Sequence, residues 1–425
     1  MVTFAQLRDA KPAQFQAVAD DLLAAAKDSE ESANAIHANG RRKLEDSWKD
    51  ELGAAVRDSL ATAADKFDVM AILNRSAAAA LDTLQDAVEL AQRELTSAVS
   101  YATANSLTVD ENGTVNLPPT VAAGDLARLQ SVQTEAQSLI TDAVEAATQA
   151  DGLAEQSMTS LRVDPDTTSQ DSARAKQSDA VEASIAMLRD TLPHGQSPEA
   201  VERWWNGLSD NQRTTLENAV PIDVYDLPGI PASVRTSLEA NENGYNRIAF
   251  LKYARDHVND ESIDVFDNNC ANYVSNGLLS AGLDEKGTFT TDDDGWGRSA
   301  AGDWNWKTPD LPGIPSVQGI SHTDSWYNAN AQREFFQNNG GATVSAKDAQ
   351  PGDVAYWNYN DGPGGEPDGE SHHAAIVTSV LPDGEAVYSQ HTPSAENYSV
   401  QGRLPEGEQS EGDQDVVFVR PRQGW

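Results

Sequence analysis

Apolar residues in the first half of the chain recur at three- and four-residue steps. From Leu52 the stripe runs through Val56, Leu60, Ala63, Phe67, Met70, Ala77, Leu81, Leu84, Val88, Ala91, Leu95 and Val99. That is a heptad-like seam about 70 Å long at 1.5 Å per residue. An earlier helix is expected over 11–45, with Val18, Leu22 and Ile36 inward, and 121–161 repeats the pattern through Leu129, Val132, Ala136, Leu139, Ala143 and Ala147. Between the long helices, Leu107-Thr108-Val109 and Thr114-Val115-Asn116-Leu117 flank Asp110-Glu111-Asn112-Gly113, a hairpin signal that Pro118-Pro119 ends. The first half therefore reads as an elongated all-α antiparallel bundle whose stripes are core.

Beyond it the pattern changes. Residues 166–243 read as a linker with short helices: Asp164-Pro165-Asp166 is polar, and Ser197-Pro198-Glu199 supplies an N-cap, an N1 proline and an early acid. The hexapeptide Asp226-Leu-Pro-Gly-Ile-Pro231 recurs at 310–315, which two Pro-Gly turns explain as local geometry. A third domain, 244–425, opens on an amphipathic helix from Tyr245 to His257, with Ile248, Leu251, Tyr253 and Val258 apolar. It then turns to strands after Gly352-Asp353: Val354–Trp357, His372–Leu381, Ala386–Thr392 and Val416–Val419, with Pro382-Asp383-Gly384 as a hairpin turn. The expected fold is α+β, an antiparallel sheet with helices.

Composition supports the division, because five of the 28 aromatic residues fall within 1–200. The 425 residues carry a formal net charge of −37. Such a surface repels phosphate backbones and anionic headgroups, so nucleic acid and polybasic membrane binding are not expected. No segment reaches the roughly 18 apolar residues of a membrane span. The first residues lack the basic and apolar regions of a secretory signal, which by itself implies a cytoplasmic protein. The single cysteine excludes an internal disulfide and a cysteine-rich metal site, and no cofactor is expected.

That cysteine stands in Asp267-Asn268-Asn269-Cys270-Ala271-Asn272-Tyr273-Val274. Asn268 and Asn269 are natural N-caps, so Cys270 falls in the first turn of a helix that buries Tyr273, Val274 and Leu278. A helix N-terminus stabilises thiolate, the nucleophilic form. On a strand, neighbouring side chains face opposite ways, so His372 and His373 are not both expected at one site. A histidine beside the thiol could move its proton, oriented by a third polar group, and His391 or Gln390 on the next strand could supply that group. Trp296, Trp304, Trp306, Trp326 and Trp357 could line a sugar or peptide groove or serve as core. Asp292-Asp293-Asp294-Gly295 lacks the spacing of an EF-hand and reads as a solvated turn. His322 reads as a surface residue, and His37, His194 and His257 have no partners nearby in sequence.

Two resemblances follow. Trp48-Lys49-Asp50 between two long helices, with Val2-Thr3-Phe4-Ala5-Gln6-Leu7-Arg8 at the start, resembles the WXG-type helical domains handled by bacterial type VII secretion, over residues 1–165. Trp204-Trp205 is similar to a helical segment found before effector domains in the same group. The C-terminal domain resembles the putative amidase domain family, papain-like relatives of the CHAP amidases. The matching residues are Tyr245-Asn246-Arg247, Tyr253-Ala254, Cys270-Ala271-Asn272-Tyr273-Val274-Ser275, Ser325-Trp326, Gly352-Asp353, His373-Ala374-Ala375-Ile376-Val377-Thr378 and Gln390-His391-Thr392. Asn269 stands where that family has an aspartate.

The resemblance implies Cys270 as nucleophile, His373 as base and His391 as the orienting residue, with Asn272, Gln390, Trp326 and Trp357 as candidate substrate contacts. It implies hydrolysis of an amide in peptidoglycan by an exported enzyme with no cleaved signal, partnered by secretion components and an immunity or chaperone protein. The alternatives are a wall-binding protein that kept the fold without catalysis, and a cysteine protease, deamidase or transferase acting on protein.

Overall fold

The computed structural model describes residues 1–122, 124–287, 294–298, 322–360, 368–401 and 414–425. They form two compact units, Met1–Leu216 with Leu381–Asp383, and Glu217–Val380 with Gly384–Trp425. The units part between Leu216 and Glu217, whereas composition places its boundaries at 165 and 243. Trp304, Trp306, Asp292, Asp293 and the second copy of the hexapeptide lie outside the described residues.

The first unit is helical. A short α1 (Phe4–Asp9) opens with a capping box between Thr3 and Gln6. Helix α2 (Ala13–Ile36) continues through a π-turn and α3 (Lys43–Ser47) to a break at 48–50. Asp50 then caps α4 (Glu51–Ala104) by accepting from the Gly53 N–H at 2.8 Å. The strands β1 (Thr108–Val109) and β2 (Val115–Asn116) form the expected hairpin, and α5 (Leu126–Leu161) and α6 (Gln170–Arg189) complete the packing along α4.

The buried face departs from the expected stripe at its start. Val18 and Leu52 are 51% and 63% exposed, and the inward positions of α2 are Ala19, Ala26, Ser29 and Ala33. Seven-residue spacing is kept, but alanines hold it, which allows close helix approach. On α4 burial follows the predicted seam from Leu84 through Val88, Ala91 and Leu95. Earlier it moves from Phe67 and Met70 to Val69, Ile72 and Leu73. The helix packs against α2, α5 and α6, so its buried arc is wider than a two-helix seam.

The second unit begins with α7 (Pro221–Asp226) and α8 (Ala232–Glu239) and continues with α9 (Arg247–His257), capped by Asn246. Next come α10 (Cys270–Ser280), α11 (Asp324–Tyr327) and α12 (Ala329–Asn338). The strands are β3 (Ala342–Val344), β4 (Val354–Tyr359), β5 (Ser371–Val380), β6 (Ala386–Gln390), β7 (Ala395–Ser399) and β8 (Gln414–Arg420). They form one antiparallel sheet in the order β3-β8-β4-β5-β6-β7.

Both faces of the central strands are buried. One packs Ala355, Trp357, Val377 and Tyr388 together. On the other, Tyr356 reaches Gln332 of α12 at 3.1 Å. Where β8 ends and β4 begins, Arg420 donates two bonds to the buried Asp353, at 2.8 and 2.9 Å, a fork that carries two parallel charge-assisted bonds. Among the described residues no helix is long and apolar enough to cross a membrane.

Candidate active site

The sequence Asp267–Ala271 breaks the preceding chain into a bend and starts α10 at Cys270, with Asn269 in the N-cap position. Asn269 does not cap with its side chain. Its amide nitrogen donates to the Ile263 carbonyl at 3.1 Å and to Asp264 Oδ1 at 3.2 Å, and its oxygen accepts from Asn272 Nδ2 at 2.8 Å. Cys270 is 2% exposed. Helix α10 packs on β5, the strand that carries His373. Burial drives the Tyr356 hydroxyl pKa well up, and the Cys270 thiol adds to the rise. The next residue of β4, Trp357, is the partner of His373 across the sheet.

The two adjacent histidines face different surroundings. His372 stacks on Tyr359, with ring centroids 4.4 Å apart. His373 is buried edge-on to Trp357, and its Nε2 lies 2.7 Å from Gln390 Oε1. The orientation of Gln390 is fixed from its other end, because its Nε2 donates to the Pro393 carbonyl at 2.8 Å. An amide oxygen only accepts, so His373 carries its proton on Nε2 and keeps the lone pair on Nδ1. The resulting tautomer suits a base whose second nitrogen takes a proton.

His391 is directed elsewhere. Its Nδ1 lies 2.9 Å from the Val258 carbonyl and its Nε2 2.5 Å from Asp264 Oδ1, while its ring stacks on Tyr273 at 5.7 Å. Of the two candidates for the third polar group, Gln390 is the one at His373.

The remaining candidates are embedded in the framework. Asn272 donates to Ile263 and Asn269 and accepts from Trp326 Nε1 at 2.7 Å and Asn276 at 3.0 Å, which uses both donors and both lone pairs of the amide. Trp326 and Trp357 are 0% and 1% exposed. Trp326 shares a buried polar cluster with Ser275, Trp296 and Gln332, since Ser275 Oγ donates to the Trp326 carbonyl and accepts from the other two. Asp294 pairs with Lys286, and among the described residues no group of three or more acids, histidines or cysteines is placed to hold a metal.

His322 is a correction. It is 5% exposed, edge-on to Phe266 at 5.1 Å and near Trp326, and these aromatic neighbours draw it inside. His37 lies 3.9 Å from Asp68, and His194 and His257 each bond a carbonyl of their own helix region.

Sequence reasoning missed Asp264 and Gln332, whose partners lie on other elements. It included the motif around Tyr245 without a structural role. Tyr245 and Arg247 pack against Gly352, whose φ is +92°, and an added Cβ there would meet Arg247 Cγ at 2.8 Å. No curated protein and no solved structure matches the chain. Residues 244–412 match the family model described as "putative amidase domain", which supports this stretch as an amidase-type hydrolase domain.

Proposed function

We propose that the C-terminal unit is a cysteine amidohydrolase of papain-like design that cleaves an amide in peptidoglycan. The observation that carries this reading is the chain from Pro393 through Gln390 to His373, which fixes the imidazole in the tautomer with Nδ1 as base, beside the helix that begins at Cys270. In this mechanism Nδ1 takes the thiol proton and the thiolate sulfur attacks the amide carbonyl carbon. The C–N bond then breaks as the imidazolium returns the proton to the leaving amine. Water, deprotonated by the same nitrogen, hydrolyses the thioester and releases the acid. The Cys270 backbone N–H, at the helix start, is one donor for the oxyanion. Gln390 takes the orienting role in this scheme, in place of His391. The helical unit would serve to deliver the enzyme through type VII export.

The test is digestion of purified peptidoglycan by wild type and Cys270→Ala, with released fragments identified by mass spectrometry. Release by wild type alone is expected, and fragment identity names the bond. Equal release by both proteins would eliminate the cysteine mechanism. No release by either would favour a wall-binding protein without catalysis.

A further inference from the structure

One carboxylate touches the chain neighbours of two groups in the proposed machinery. Asp264 lies between a short 3-10 turn (Glu261–Ile263) and α10. Its Oδ1 accepts from Nδ2 of Asn269, the residue before Cys270, at 3.2 Å. The same oxygen lies 2.5 Å from Nε2 of His391, the residue after Gln390. The Nδ1 of His391 faces the Val258 carbonyl at 2.9 Å, just beyond α9. Both contacts of the ring are to oxygen atoms, so it is held from two sides, by the Val258 carbonyl and by the carboxylate of Asp264. His391 is 2% exposed, and its ring is further held against Tyr273, on the first turn of the cysteine helix.

Consecutive residues are about 3.8 Å apart along the chain, so fixing 269 and 391 restrains 270 and 390. Asn269 stands where the resembling family has an aspartate, and Asp264 supplies a carboxylate to that end of the helix from five residues earlier. We propose that Asp264 is a positioning residue. It acts through Asn269 on Cys270 and through His391 on the Gln390–His373 pair, and holds nucleophile and base in register. This inference rests on the reading of Cys270 as the nucleophile.

The test uses the full chain, in which Cys270 is the single thiol. Its alkylation rate by iodoacetamide is followed from pH 5 to 10 in wild type, Asp264→Asn and His391→Phe, alongside fragment release from peptidoglycan. Asp264→Asn keeps the shape but loses the charge, and His391→Phe cuts the same tie from the other end while keeping a ring against Tyr273. The wild-type rate is expected to titrate below the roughly 8.5 of a free thiol. Both variants should move that midpoint up by about one unit and reduce release roughly tenfold or more. A depressed wild-type midpoint that both variants leave in place would overturn this inference alone. An ordinary midpoint in the wild type would overturn the nucleophile reading and this one with it. If neither variant folds, as judged by circular dichroism, Asp264 belongs to folding and the positioning role is rejected.

Discussion

Gln390 meets His373 with one end of its amide and Pro393 with the other, so substitution can separate the two contacts. Gln390→Glu keeps an acceptor for His373 Nε2 but turns an oxygen toward the Pro393 carbonyl. Gln390→Leu has similar volume and keeps neither bond. Gln390 and His373 are 1% and 4% exposed, so water is a poor substitute, and each stranded buried group costs about 1–3 kcal/mol. The effect on turnover comes from the ring. Without an acceptor at Nε2, the proton can move to Nδ1, where it blocks transfer from the thiol. A positioned general base is worth about 10²–10⁴-fold in rate, or about 3–5 kcal/mol at 1.36 kcal/mol per tenfold, and a base present in the wrong tautomer forfeits the lower part of that range. Gln390→Leu should therefore lose about 10²–10³-fold in turnover, and Gln390→Glu should stay within about tenfold of wild type. The assay is initial fragment release at saturating peptidoglycan, well below each variant's melting temperature. A folded Gln390→Leu working at the wild-type rate would refute the reasoning. So would equal impairment of the two variants, since that would assign the loss to Pro393 and not to the imidazole.

The helical unit makes a pH prediction of fixed sign. Burial pushes Asp82 and Glu94 up to about 7 and Asp86 to about 6. The folded state thus keeps protons that the unfolded chain gives up from about pH 4, and stability falls as pH rises through roughly 4 to 7. Circular-dichroism melting at pH 5 should show a higher helical transition than at pH 8, with Glu94→Gln narrowing the gap; a gap that Glu94→Gln leaves unchanged would count against this origin. For delivery, the full-length chain should appear in the culture fluid of producing cells and should fail to do so when residues 1–165 are removed; full-length protein confined to the cells would reject that route.

Legibility depended on how local each signal was. The burial of Tyr273, Val274 and Leu278 follows from a short apolar stripe, because helical period acts within a turn or two, and α10 does start at Cys270 behind Asn269, although without a side-chain cap bond. The side chain of Asn269 was not legible, since its partner Asp264 belongs to a separate turn. In α2 the period was readable but the face was not. Val18 and Ala19 differ by one position, and the choice falls to whichever residue lets α4 approach. The outer strands β3 and β7 escaped notice because they are short and partly exposed, with no clean alternation to mark them. His322 looked exposed because its neighbours in sequence are polar, yet its environment is made by Phe266 and Trp326.

The choice between Gln390 and His391 turns on one residue of β5. At the hairpin end Val380 pairs with Ala386 and Ser379 with Val387. Continued without interruption, that register would set His391 opposite Ala375, on the face of the sheet shared by His373. The pairing instead slips between Ser379 and Val377, so that Val377 meets Tyr388 and Ile376 meets Ser389. Thr378 is the extra residue, and the slip brings Gln390 to the His373 side while His391 turns toward Tyr273 and Asp264. A one-residue shift reverses which side chains share a face. The Asp-Gly turn fixes the register only at its own end, and Thr378 has no sequence feature that marks a bulge. The motif could narrow the orienting group to two neighbours, and the sheet's irregularity had to decide between them.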